Sequence, residues 1–173
     1  IVILLLAIII LSGSITTLVK SDYFKKKLEE NKTKDSVPVN LGPKKTKSGF
    51  SNIFPNIDSG KQILCFFAPS CDHCRATAKT LTEMKKANKD FPAIQIIFMD
   101  EAPEEIPDFF KFAGAEYPNY VMDIVTFWSK LGNSRDVPGV FYLWNGSTQK
   151  IYHGIEDQKF NAAAFKKILA KDK

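Results

Sequence analysis

Cys71-Asp72-His73-Cys74 is the stretch of this sequence whose residue types and spacing most directly imply covalent chemistry. Two cysteines three positions apart stand one helical turn from each other, within reach of a disulfide. The pair follows an apolar run and opens a helical pattern, the context in which such spacing reads as a redox motif. Cys71 then falls at the helix N-terminus, where unpaired N–H groups and the macrodipole favour a thiolate over a thiol. His73, when protonated, adds positive charge near that sulfur, and Asp72 works against it. The expected roles follow: Cys71 attacks a substrate disulfide, Cys74 resolves the mixed disulfide, and His73 tunes Cys71.

Other chemistries fit less well. A structural zinc site needs four ligands, and the chain offers three Cys and two His, His73 and His153. Haem attachment needs a His directly after the second cysteine, where Arg75 stands. Asp100, Glu101, Glu104 and Glu105 read as the acidic first turn of a helix rather than a hydrolytic carboxylate pair. His153 reads as a surface residue at a strand end, and Asp123 and Asp136 read as structural, with a place bordering a substrate groove as the alternative for each. No Gly-rich phosphate loop or serine-nucleophile motif is present. No cofactor and no bound metal are expected.

These residues must be held by regular elements, and the pattern supplies them. Residues 62–67 form an apolar run rich in aromatic and β-branched side chains, a buried strand. Residues 72–88 space Ala78, Leu81 and Met84 at helical intervals and end in lysines. A doubly buried strand is expected at 94–99, a helix at 104–113 with Pro107 near its start, a strand at 117–122 and a short helix at 124–131. Residues 140–144 and 150–153 flank Asn145-Gly146, a hairpin signal. A last helix is expected over about 157–171, with Phe160, Ala164 and Ile168 on one face. The order β-α-β-α-β-α-β-β-α implies an α/β sandwich of three layers, a mixed sheet with a C-terminal antiparallel hairpin.

From about Phe50 onward these features resemble the thioredoxin-like fold superfamily. The residues that carry the likeness are the strand ILCFFAPS leading into CDHC, the strand IQIIFMD, the segment RDVPGVFYLWNG and the closing helix. The resemblance implies that Val137-Pro138 occupies the family's cis-proline position, facing the cysteines and offering backbone groups to an extended substrate. The segment 103–132 resembles the insertion of membrane-anchored envelope thiol–disulfide oxidoreductases of the TlpA/ResA type. Span, basic linker and body together also look like the C-terminal part of DoxX/MauE-type membrane proteins.

Three positions depart from the family pattern. Cys65 stands where the family often keeps a buried carboxylate that moves the resolving cysteine's proton. It reads as a small buried apolar residue, with a third redox thiol as the alternative. Ser70 replaces the usual Trp before the motif. His73, just before the second cysteine, resembles the envelope disulfide oxidases, so reductase and oxidase directions both stay open.

The charge is unevenly placed. The chain of 173 residues carries +5, yet residues 50–173 hold fifteen basic and fifteen acidic residues. Residues 20–49 hold nine Lys against four acids, so all the excess lies there and a nucleic-acid partner is not expected. Residues 1–19 are uncharged and mostly aliphatic. At about 1.5 Å per residue they reach roughly 28 Å, close to a bilayer's hydrocarbon thickness. The expected organisation is a transmembrane anchor at 1–19, a flexible basic linker at 20–49 and a thioredoxin-like domain at 50–173. A signal-peptide core and a buried helix are the alternatives for 1–19. The opening on Ile1 suggests the last span of a longer protein. The lysine flank alone favours a cytoplasmic body, whereas the resemblance favours the periplasmic side of a bacterial inner membrane. Expected partners are protein thiols and disulfides, a membrane redox partner, and the bilayer through residues 1–19. Two rival functions remain: a thioredoxin-like copper or metal-handling module using the cysteine pair with a histidine, and a non-catalytic docking domain of a membrane complex.

Overall fold

The computed structural model describes Lys25, Asn40 and residues 42–172. The expected anchor at 1–19 and nearly all of the linker up to residue 39 lie outside the described residues. Among the described residues, no helix is long and apolar enough to cross a membrane.

The chain from residue 42 onward builds one five-stranded sheet. In chain order its elements are β1 (Lys61–Phe67), α1 (Asp72–Ala87), β2 (Ala93–Met99), α2 (Ile106–Ala113), β3 (Asn119–Met122), α3 (Ile124–Leu131), β4 (Gly139–Trp144), β5 (Ser147–Tyr152) and α4 (Ala162–Lys171). The strands lie in the order β3-β2-β1-β4-β5. β1, β2 and β3 are mutually parallel, and β4 and β5 close the sheet antiparallel. Both faces are covered, which is why the central strands read as unbroken apolar runs. Alternate residues serve opposite cores. Ile63, Cys65 and Phe67 join α1, α2 and Phe165 of α4 on one face. Leu64 and Phe66 join Phe50, Phe54, Ile57 and the α3 residues Phe127 and Leu131 on the other. Phe66 lies against three rings, Phe50, Phe127 and Phe141, at centroid distances of 5.8, 5.5 and 5.1 Å.

Three expectations shift. The third strand begins at Asn119 rather than 117, and the second hairpin strand at Ser147 rather than 150. The last helix begins later than 157. A 3-10 turn at Glu156–Gln158 ends at Lys159, and Asn161 caps the helix proper by accepting the Ala164 N–H at 2.9 Å. Phe160 therefore precedes the helix, Ala164 is exposed, and Phe165 supplies the fully buried anchor.

Asn145 and Gly146 both have positive φ, 52° and 79°, as a tight turn of this hairpin requires. The end of the expected linker docks on this turn. Asn145 Nδ2 donates to Pro43 O at 2.8 Å, and Thr46 N–H donates to Asn145 O at 2.9 Å. The Ser48 N–H reaches the buried Asp58 carboxylate at 2.9 Å. Contacts with the body thus begin by Pro43, before the expected boundary at residue 50.

Candidate active site

The parallel strands end together, and the loops that leave them carry the chemistry. β1 hands the chain to residues 68–70, and Cys71 takes the N-cap position of α1 with φ −79° and ψ 115°. Its own N–H donates to Ala68 O at 3.2 Å. Its Sγ accepts the Cys74 N–H at 3.3 Å, the role a Ser or Asp usually plays at a helix start. Cys71 is half-buried and Cys74 is 0% exposed, so one sulfur meets solvent and its neighbour lies behind it.

Their acidities diverge accordingly. Cys71 is lowered from 9.0 to about 6. The Cys74 side chain hydrogen-bonded to it is the largest cause, followed by the backbone N–H groups of Cys74 and His73, and last by the His73 charge, while partial burial opposes them. Burial, and then the neighbouring Cys71, push Cys74 well above the usual thiol range. At neutral pH the accessible sulfur is a thiolate and the inner one a thiol. His73 is exposed, and its charge is the weakest of the influences that lower Cys71.

Cys65 lies in β1, paired in register with Ile96 of β2 and Val140 of β4. It is fully buried in the same core as Cys74, and burial drives its thiol upward too. All three cysteines are unbridged. Cys65 supplies no carboxylate to take the Cys74 proton.

The Val137-Pro138 peptide bond is cis, and it leads directly into β4. Val137 and Cys71 are each half-buried against both core clusters, so the turn and the nucleophile share one end of the sheet. The turn is propped from behind by the segment after β5. Gly154 N–H donates to Asp136 O at 2.8 Å, and a Cβ at Gly154 would overlap the Val137 carbonyl. Asp136 also accepts the Val137 N–H at 2.7 Å. A groove of about 530 Å³ runs beside this turn, lined by His73, Ala76, Asp136, Pro138, Gly154 and Phe160 among others. Cys71 lies outside that lining. Of the two aspartates for which a groove position is the alternative reading, Asp136 lines this groove. Asp123 instead caps α3 by accepting the Thr126 N–H at 2.9 Å, a bond that holds its carboxyl below the usual range.

His153 is half-buried just past β5, with Nδ1 buried and without a hydrogen-bond partner. Burial first, and then the Arg135 cation, lower its pKa against the pull of Asp136. Among the described residues, no three or more His, Cys, Asp or Glu side chains gather as a metal-ligand set.

One residue at the site escaped sequence reasoning. Arg75, directly after Cys74, folds back so that Nε donates to Pro69 O at 2.9 Å and Nη2 to Glu105 Oε2 at 2.6 Å. The only sequence signal was a cation one turn into a helix and an acidic turn thirty residues on.

The same architecture recurs in solved structures. A secreted Mycobacterium tuberculosis disulfide oxidoreductase homologous to E. coli DsbE superposes with a TM-score of 0.56 at 15% identity, over 78% of this chain and 99% of that one. A thiol:disulfide interchange protein of the thioredoxin family from Chlorobium tepidum gives 0.53 at 18% identity, over 68% of this chain and 83% of that one. The fold is thioredoxin-like. In sequence it is similar to protein TlpB of Flavobacterium psychrophilum, 50% identical over 166 residues that make up 94% of this chain and 44% of TlpB. The chain thus spans less than half the length of the curated relatives it matches. No family model matches it.

Proposed function

We propose that this chain is a thiol–disulfide oxidoreductase that exchanges disulfides with protein substrates through Cys71 and Cys74. The observation that carries the reading is the asymmetry of the pair: a half-buried sulfur lowered to about 6 at a helix N-terminus, backed by a fully buried thiol. In the reducing direction the Cys71 thiolate attacks one sulfur of a substrate disulfide. That bond breaks, and its other sulfur leaves as a thiolate and takes a proton. Cys74 then loses its proton and attacks the Cys71 sulfur. The mixed disulfide breaks, the second substrate thiol departs, and a Cys71–Cys74 disulfide holds the two electron equivalents' worth of oxidation. Oxidation of a substrate dithiol is the reverse sequence. The Cys74 proton leaves without a carboxylate at position 65, so water or a substrate group accepts it. Val137-Pro138 serves as the substrate-binding turn, and His73 adds a minor electrostatic contribution.

In this reading residues 1–19 tether the body to the bilayer, residues 20–49 serve as a basic spacer, and the body works on the periplasmic side with a membrane redox partner that resets the pair. A half-buried Cys71, whose neighbour His73 lines a groove together with Pro138, favours protein substrates over a purely structural role. The test is turnover of a disulfide-bonded peptide by the reduced protein. Cys71→Ser should abolish it, and Cys74→Ser should accumulate a mixed disulfide through Cys71. Undiminished turnover by Cys71→Ser would remove the mechanism. Reporter fusions on either side of residues 1–19 test the sidedness.

A further inference from the structure

We infer that Arg75 is a positioning residue, clamping the loop that carries Cys71 to the 103–105 turn so that the segment between β2 and β3 sets the attitude of the reactive sulfur. The inference rests on the reading of Cys71 as the reactive thiol. Arg75 holds the loop at two points. Its backbone N–H donates to Cys71 O at 3.0 Å, and its guanidinium Nε donates to Pro69 O at 2.9 Å. The loop they span belongs to neither strand nor helix, and it is further held by the Cys71 N–H to Ala68 O bond and by the Cys74 N–H to Cys71 Sγ bond. The far end of the same guanidinium is anchored on Glu105 Oε2 at 2.6 Å, and the Arg75 side chain is only 20% exposed.

Glu105 is not a free surface carboxylate. It closes the 3-10 turn Pro103–Glu105, which follows Ala102 in the left-handed region at φ 52°, a conformation that a residue with a Cβ seldom adopts unless its surroundings impose it. The helix that follows, α2, packs Phe109, Phe110 and Ala113 into the core shared with α1. This segment therefore presents Glu105 from a fixed base. A planar guanidinium can serve a carbonyl and a carboxylate in two directions at once, which a lysine ammonium on a flexible stem does not reproduce. The influences that lower Cys71 come from Cys74 and His73, so Arg75, partnered by Glu105, acts through loop geometry and not through its charge.

The experiment uses the full chain in its reduced form and follows alkylation of Cys71, together with its ultraviolet thiolate absorbance, as a function of pH. Arg75→Gln, Arg75→Lys and Glu105→Gln are each expected to raise the Cys71 midpoint by roughly half a unit or more, about a threefold loss of thiolate below the midpoint. The Arg75→Gln/Glu105→Gln double variant should shift it no further than Arg75→Gln alone. A wild-type midpoint in Arg75→Lys would overturn the inference in favour of charge. Lowered thermal stability with an unchanged midpoint would overturn it in favour of a structural salt bridge, and additive shifts would show two independent effects. Glu105, 42% exposed, gives a variant whose folding is not at risk. The alkylation readout needs no turnover. If the wild type exchanges no disulfides while these midpoints move together, the oxidoreductase reading fails and the positioning role stands.

Discussion

Gly154 packs its Cα directly against the carbonyl of Val137, with no room for a methyl group between them. The Val137-Pro138 turn is thus backed by main chain, and the contact tolerates only glycine.

Gly154→Ala should therefore displace the Val137-Pro138 turn rather than merely crowd it. Overpacking of this kind costs about 1–3 kcal/mol. The expected signature is a lowered melting temperature together with a raised KM for a disulfide peptide. The Cys71 alkylation rate should stay at the wild-type value. A normal KM would argue that the turn takes no part in binding.

Alkylation of Cys71 in the reduced protein should titrate with a midpoint at about 6. Because the Cys74 side chain is the largest cause of the lowering and the His73 charge the smallest, Cys74→Ala should raise the midpoint more than His73→Ala does. The reverse order would assign the tuning to the histidine.

Stability of the reduced protein should depend on pH through the same group. Between about 6 and 9.0 the unfolded chain keeps a proton on Cys71 that the folded chain has released, so the folded state gains as pH rises through that window. The gain is complete above the unfolded value and is lost as pH falls through about 6. Denaturant unfolding of the wild type and of Cys71→Ser, compared from pH 5 to pH 9 (roughly the span that brackets the shift), should show the difference growing with pH. A flat difference would mean that Cys71 is not a stabilised thiolate.

Phe165 is fully buried among the rings of Phe91, Tyr142, Tyr152 and Phe160, at 5.5 to 6.2 Å between centroids. Phe165→Ala should cost about 3–5 kcal/mol by denaturant unfolding. Ala164→Ser, on the exposed neighbour, should stay within about 0.5 kcal/mol.

That last contrast marks where pattern reading succeeded and where it slipped. Strand 62–67, the cysteine pair after it, strand 94–99 and the Asn145-Gly146 turn were legible because each is a local signal: an apolar run, a spacing, a turn dipeptide. The phase of the last helix was not. Phe160, Ala164 and Ile168 are four apart and look helical, but the Asn161 cap restarts the helix after Phe160 and turns Phe165, Ile168 and Leu169 inward. At the site, Cys71, Cys74, His73 and Pro138 could be named from sequence. The Arg75–Glu105 clamp and the Gly154 prop could not, because each joins residues that only the completed sheet brings together.

The docking of Pro43 and Thr46 on the β4–β5 turn has a directional consequence. Trp144 pairs with Lys61, the first residue of β1, whereas Cys71 follows the last. The length of β1, about 20 Å at some 3.3 Å per residue, separates the two ends. Pro43 and Thr46 thus hold the body at its heel, while the thiolate sits at the toe. A partner can reach the reactive end without passing the segment that carries Pro43 and Thr46.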